Sequence, residues 1–148
     1  MSVPFLAFCL VLISGALLAV QAPLNATLSR AVGSPVNAAL ISFLVGSLAL
    51  ALVAALLRAA PTLPAVRALP WWAWCGGLCG AVFVAGAAYA VPRLGVATVL
   101  TLGVASQLAA AIVIDHVGAL GVAPRAVTLW RVAGILLVMV GTLLVRRG

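Results

Sequence analysis

The chain is short of charged residues, and above all of acidic ones. Charged side chains make up 6% of its 148 residues, lysine and glutamate are missing, and Asp115 is the only carboxylate. A mechanism with two catalytic carboxylates is therefore excluded. The single histidine, His116, and the three cysteines, Cys9, Cys75 and Cys79, lack the spacing of a metal-ligand set. Since GxSxG and phosphate-loop motifs are also missing, we expect neither an enzyme nor a bound cofactor or metal.

The charges that are present are almost all arginine, and they give the chain a net charge of +7. In a soluble protein this excess would suggest a nucleic-acid partner. Here the eight arginines stand at the ends of apolar runs, without a basic stripe or an aromatic platform, so we expect no nucleic acid and interpret them as anchors at a membrane surface. A composition that is 67% hydrophobic, with a mean hydropathy of +1.39, is typical of an integral membrane protein.

Five apolar runs each approach the length of about 20 residues that a helix needs to cross a bilayer. Turn sequences rich in proline and glycine separate the runs, and no connection is long enough for a soluble domain. The first run could instead be a signal peptide, but its start, MSVP, has no basic residue. We predict one all-α membrane domain over residues 1–148, with helices at about 3–29, 36–57, 71–91, 94–114 and 126–145.

The arginines are balanced across the membrane. Five crossings put the two termini on opposite sides, and an excess of basic residues normally decides which side is cytoplasmic. Four arginines would lie on the amino-terminal side, namely Arg58, Arg67, Arg125 and Arg131. The other four, Arg30, Arg93, Arg146 and Arg147, would lie on the opposite side. Because neither side has an excess, we predict dual topology, with the two orientations present in similar amounts.

Small residues are spaced for close helix packing on the third and fifth helices. Gly76 and Gly80 form a GxxxG pair, and Gly134 and Gly141 lie seven residues apart. Such residues let helix backbones approach each other inside lipid. Packing within the chain is the simpler interpretation. Together with the balanced charge, however, the pattern favours an antiparallel homodimer, in which ten helices form an inverted repeat.

Uncommon polar side chains are the best guide to a transport pathway. Ser14, Gln21 and Asn25 share one face of the first helix, Gln107 lies beyond the middle of the fourth, and Tyr89 is a weaker candidate. An amide in hydrocarbon needs a hydrogen-bond partner, which a substrate, cavity water or a neighbouring helix can supply. We therefore take these residues as candidates for substrate binding, with bonding between helices as the alternative.

Asp115 and His116 lie at the carboxyl end of the fourth helix, where the helix dipole disfavours a negative charge. Arg125 and Arg131 follow in the next connection and at the start of the fifth helix. We predict that Asp115 pairs with Arg131 or Arg125 and so pins the two helices together. The alternative is that Asp115 and His116 act as a gate or a proton relay at the mouth of a cavity.

Several blocks of sequence, in this order, resemble the YdcZ-type five-helix branch of the drug/metabolite transporter superfamily. They include QAPLNATL (21–28), PWWAWCGGLCGA (70–81), SQLAAAIVIDHVG (106–118) and RVAGILLVMVGTLLV (131–145). The resemblance implies a five-helix unit that pairs with itself or with a paralogous subunit into a ten-helix inverted-repeat transporter. It also implies a location in a bacterial inner membrane.

Two classes of function follow from these expectations. The first is a small-molecule transporter, specifically an exporter of a neutral or zwitterionic metabolite, that works by alternating access as a dual-topology dimer. The second is a membrane scaffold or subunit that transports nothing. A channel is less favoured than either, because the sequence contains no ring of charge and no carbonyl filter motif.

Overall fold

The computed structural model describes residues 3–147, with side chains from Phe5 onward. Over this range five helices are long and apolar enough to cross a membrane, which confirms the predicted all-α membrane protein with five spans. The spanning helices are α1 (Val3–Val32), α2 (Pro35–Leu56), α4 (Gly76–Leu94), α5 (Val96–Val117) and α6 (Leu129–Arg147). A short helix that the sequence did not predict, α3 (Leu63–Arg67), lies in the connection between α2 and α4.

The turn between α1 and α2 takes only two residues, and its chemistry is local. Gly33 adopts φ 71°, a conformation that ends α1 at little cost because glycine has no Cβ. Ser34 then caps α2: its Oγ accepts a hydrogen bond from the N–H of Asn37 at 3.2 Å. Pro35 takes the first helical position, where its missing N–H is not needed. Helix α1 therefore runs to Val32, three residues beyond the predicted end.

The turn between α4 and α5 is a single residue, Gly95, with φ 79°. The sequence predicted that α4 ends at Val91, before Pro92, but the helix continues through Pro92 to Leu94. The N–H of Gly95 donates to the carbonyl of Val91 at 3.0 Å, so the last turn stays bonded despite the proline. At its other end α4 begins later than predicted, at Gly76, because residues 71–75 form a tighter 3₁₀ turn.

The end of α5 and the start of α6 both lie a few residues later in the chain than the sequence predicted, and the connection between the two helices shows why. Helix α5 extends to Val117 and ends at Gly118, which has φ 68° and whose N–H donates to the carbonyl of Ile114. A 3₁₀ turn (Ala119–Gly121) and an extended segment follow. Helix α6 starts at Leu129 because Thr128 caps it: its Oγ1 accepts from the N–H of Arg131 at 3.3 Å.

The chain divides into two compact units, Met1–Tyr89 and Ala90–Gly148, a division that the sequence did not predict. In the first unit α1 packs against α2, and in the second α5 packs against α6. The buried apolar residues are small: Ala22, Ala26, Ala38, Ala39, Val84, Ala87 and Ala88 in the first unit, and Val91 and Val99 in the second. Large apolar side chains along every spanning helix are exposed instead, as expected for helices that contact lipid or a partner chain.

Candidate functional site

An ion pair joins the last turn of α5 to the first turn of α6. Nη2 of Arg131 donates to Oδ2 of Asp115 at 2.5 Å, and the two side chains are 32% and 24% exposed. The backbone N–H of Arg125 also donates to the backbone carbonyl of Asp115 at 2.7 Å. A charge-assisted hydrogen bond of this kind is among the stronger single contacts in proteins. Asp115 therefore pairs with Arg131, one of the two arginines that the sequence offered as its partner.

Arg125 and His116 are the other two residues that the sequence placed near this ion pair. Arg125 reaches Asp115 through its backbone, in the extended segment before α6. His116 follows Asp115 in the last turn of α5 and is exposed. Nη2 of the Arg131 guanidinium binds Asp115, whereas Nη1 is buried and has no hydrogen-bond partner within residues 3–147. The pair thus closes the α5–α6 turn and leaves one donor nitrogen unsatisfied.

A cleft of about 390 Å³ between α5 and α6 has this ion pair in its wall. The rest of the wall is apolar and includes Ile112, Ile135 and Val138. In a low-dielectric surrounding a charge needs a partner or access to water. Partial exposure and the Asp115–Arg131 contact together meet that need at the end of the helix pair.

The polar face predicted on α1 is only partly buried. Asn25 is 5% exposed, Gln21 is half-buried one turn before it, and Ala22 and Ala26 are buried on either side. Ser14 lies two turns earlier, is exposed, and donates its hydroxyl to the carbonyl of Leu10 at 2.8 Å within its own helix. The two amides therefore lie at the packed end of α1, while Ser14 lies on its open part.

The remaining substrate-binding candidates are both exposed. Gln107 is exposed on α5, and Tyr89 is 54% exposed at the end of the first unit. Gln107 belongs to the second unit, whereas Gln21 and Asn25 belong to the first, so a cavity shared by the three amides stays a prediction.

The structure buries two threonines that sequence reasoning did not select as site residues. Thr98 is 7% exposed on α5, and Thr142 is 4% exposed on α6. The hydroxyl of Thr142 donates to the carbonyl of Val138 at 2.9 Å, which satisfies it within its own helix. The sequence alone does not show whether a threonine in an apolar helix bonds to a carbonyl of its own helix or binds a ligand, because the same hydroxyl can do either.

Comparison with protein-family models supplies the family. The model described as "Putative inner membrane exporter, YdcZ" matches residues 6–144, nearly the full length of the chain. The chain belongs to the YdcZ family. It is accordingly an integral protein of the inner membrane, as the resemblance and the five spans predicted. No curated protein and no solved structure matches it.

Within this YdcZ-family chain, the four glycines that the sequence assigned to helix packing fall into two groups. A Cβ added at Gly80 would lie 3.1 Å from Cζ of Phe43, so Gly80 forms a close contact between α4 and α2. Cβ atoms added at Gly76, Gly134 and Gly141 would meet nothing within 4 Å. Gly80 therefore packs inside the chain, and the other three leave room for a partner; their role in a dimer stays a prediction.

Metal binding has little support in the geometry. No group of three His, Cys, Asp or Glu side chains among residues 3–147 could hold a metal ion. All three cysteines are free, and Cys75 and Cys79 lie a turn apart where the 3₁₀ segment meets α4. The expectation that this YdcZ-family protein uses no metal or cofactor stays a prediction.

Proposed function

We propose that the protein exports a small neutral or zwitterionic molecule across the inner membrane by alternating access, as an antiparallel homodimer whose subunits insert in opposite orientations. The observation that carries this proposal is the match to an inner-membrane exporter family over residues 6–144, in a chain with five membrane-spanning helices. A paralogous subunit in place of the second copy is the alternative to the homodimer.

The small core supports the need for a partner subunit. The buried apolar residues are alanines and valines, whereas large side chains on all five spanning helices are exposed. An antiparallel pair of such units makes ten helices related by an inverted repeat, an architecture in which transporters bind substrate near the middle of the bilayer. The balanced arginines remove the usual bias toward one orientation and so allow both subunit orientations.

The charge of the side chains supports the proposed class of substrate. Asp115 is the only acidic side chain of the chain, and Arg131 already binds it. The candidate binding residues Gln107, Gln21 and Asn25 are all uncharged. A lipophilic cation needs a buried carboxylate to offset its charge, so neutral or zwitterionic molecules suit these residues better.

The position of Asp115 also argues against one familiar coupling mechanism. In an antiparallel dimer the two copies of Asp115 would lie near opposite membrane faces, roughly 30 Å apart across the hydrocarbon core. They could not form the shared carboxylate pair at mid-membrane on which small multidrug exporters rely for proton exchange. We propose instead that the amides contribute to substrate binding.

Flux into proteoliposomes tests this proposal most directly. Purified protein should transport at least one member of a panel of neutral and zwitterionic metabolites, and Gln107→Leu should abolish that flux while the dimer still forms. Thr101→Val is a matched control on the same helix, because the Thr101 hydroxyl bonds to the Ala97 carbonyl of its own helix. A dimer that transports nothing would favour a scaffold. Loss of the folded dimer in Gln107→Leu would show that Gln107 bonds helices together.

Topology mapping tests the dimer. A reporter fused at Gly148 should be active on both sides of the membrane, with roughly half of the molecules in each orientation, since the arginines are balanced. Two lysines added near the amino terminus should bias the orientation, and a homodimer should then lose flux. A population that lies more than about nine-tenths one way before the lysines are added would point to a paralogous partner.

A further inference from the structure

Asn25 of α1 is a buried amide without a hydrogen bond. The residue is 5% exposed, and its side chain has no hydrogen-bond partner among the described residues. Among the buried and half-buried residues of that part of the chain, Nη1 of Arg131 is the one side-chain nitrogen or oxygen that is both shielded from solvent and unpaired. Both amide atoms of Asn25 therefore reach accessible surface, where a small polar group can contact them.

Ser42 of α2 lies at the same level of the helix pair as Asn25. Helices α1 and α2 pack against each other and are joined by the two-residue turn at 33–34. Asn25 precedes this turn by eight residues and Ser42 follows it by eight, so each lies about 12 Å along its helix from the turn. Ser42 is half-buried and follows the fully buried Ala38 by four residues, so both lie on one face of α2.

Ser42 also lacks a hydrogen bond within the described chain, unlike the hydroxyls of Ser14 and Thr101, which donate to carbonyls of their own helices. Gln21, half-buried one turn before Asn25 on the same face of α1, is unpaired there as well. We call Gln21, Asn25 and Ser42 the α1–α2 polar cluster. Unpaired amides and hydroxyls are costly in an apolar surrounding, and a ligand that donates and accepts hydrogen bonds would satisfy them.

The α1–α2 polar cluster consists of uncharged side chains. The nearest charged residue along α1 is Arg30, which lies five residues after Asn25 and therefore about 140° around the helix axis from it. Nη2 of Arg30 donates to Oγ1 of Thr27 at 3.0 Å. A charged ligand group would need an opposite charge or water in this surrounding. An uncharged polar group needs only hydrogen-bond partners, which the cluster supplies.

We infer that the α1–α2 polar cluster binds an uncharged group that both donates and accepts hydrogen bonds, such as the carboxamide of a small molecule. The amides and the hydroxyl of the cluster each provide donors and an acceptor, as such a group requires. The inference rests on the exporter proposed above, and it narrows the substrate to a molecule that is uncharged where it contacts α1 and α2.

A helix of a second copy fits the cluster less well than a small molecule does. Asn25 is 5% exposed and lies between the buried residues Ala22 and Ala26 of the same helix. A helix with its side chains is about 10 Å across, so it cannot enter so small an opening. A group the size of a carboxamide can reach the two amide atoms.

Alkylation of an introduced thiol tests the inference without requiring transport. Cys9, Cys75 and Cys79 are replaced by alanine, and Ser42→Cys is added to the full-length protein in proteoliposomes. Iodoacetamide carries a carboxamide, whereas iodoacetate carries a carboxylate in its place. Mass spectrometry of the protein gives the alkylation rate with each reagent, relative to the rate with free cysteine. Ser47→Cys is the matched control, because Ser47 is exposed and lies about 140° around α2 from Ser42.

Iodoacetamide should alkylate Ser42→Cys at least about fivefold faster than Ser47→Cys, and Asn25→Leu should remove this advantage. A factor of about five corresponds to about 1 kcal/mol, the typical contribution of one neutral hydrogen bond. Iodoacetate should show no such advantage at Ser42→Cys. Equal rates with iodoacetamide at the two positions would overturn the inference, and so would an equal advantage with iodoacetate.

Gln21→Leu is a second variant for the case in which Asn25→Leu does not fold, and it should also reduce the advantage. If Asn25→Leu separates the dimer while the iodoacetamide advantage persists, Asn25 contacts a second copy and the inference is wrong. Flux measurements judge the exporter separately. The advantage without any flux would refute the exporter and leave the cluster as a binding site, whereas flux without the advantage would refute the inference alone.

Discussion

The ion pair between Asp115 and Arg131 allows a quantitative prediction about what holds α5 against α6. We expect a double-mutant cycle on Asp115→Asn and Arg131→Gln to give a coupling free energy of about 1–2 kcal/mol. Hydrogen bonds to charged groups contribute about 1.5–3 kcal/mol, and exposed ion pairs only about 0.2–1 kcal/mol. The two side chains are 24% and 32% exposed, so the pair should fall between these cases.

The measurement is the free energy of unfolding in mixed detergent micelles, followed by circular dichroism, for the unaltered protein, both single variants and the double variant. Each single variant leaves one charge without its partner, so the double variant should be more stable than the sum of the two losses implies. The matched control pairs Asp115→Asn with Arg146→Gln. Arg146 lies about 22 Å along α6 from Arg131, and such distant changes should add to within about 0.5 kcal/mol.

Two results would refute this reasoning in different ways. A coupling below about 0.5 kcal/mol would show that the ion pair does not pin the helices. A strong coupling with flux retained in proteoliposomes supports a purely structural pair. A stable dimer in which Asp115→Asn removes only the pH dependence of flux would instead support the gate or relay that Asp115 and His116 could form.

Two pairs of glycine positions give further predictions about stability. Gly118→Ala should lower the free energy of unfolding by at least about 1–2 kcal/mol, because its φ is 68° and the new Cβ would lie 2.6 Å from Cγ of Pro124. Gly121→Ala, with φ 80° and open space, should show the backbone cost alone; equal losses at both positions would contradict the clash. Gly80→Leu should destabilise the protein by about 1–3 kcal/mol, because a ring of α2 lies 3.1 Å from its Cβ position, and Gly76→Leu should be nearly neutral in the monomer. Thermal unfolding of the monomer in detergent checks the second pair, and equal losses there would place the α4 contact elsewhere.

The sequence predicted the number of membrane helices correctly because length and hydropathy are local properties. Short turns were also readable, since GSP at residues 33–35 contains a residue for a positive φ, a cap and a first-turn proline. Helix ends near Pro92 and Thr128 were less predictable. A proline in the last turn of a helix need not end the helix when a glycine shortly after it reverses the chain. The start of a helix depends on which nearby hydroxyl occupies the N-cap position.

The candidate site was likewise predicted only in part from the sequence. The sequence pointed to Asp115 and Arg131, because a lone carboxylate in an apolar chain must find a cation, and few were near. It could not choose between Arg131 and Arg125, since that depends on how the α5–α6 turn folds around Gly118. Only the structure showed that Nη2 binds Asp115 while Nη1 remains unsatisfied in the described chain.

The sequence by itself determined that the chain lies in a membrane, crosses it five times and has one acidic side chain to place. These properties follow from composition and from the length of apolar runs, which do not depend on tertiary contacts. Tertiary structure decided which glycines face neighbours, which threonines are buried and where a cleft forms between α5 and α6. Those features arise from the close approach of side chains distant in sequence, as at Gly80 and Phe43, and such contacts depend on how the helices pack rather than on any local pattern.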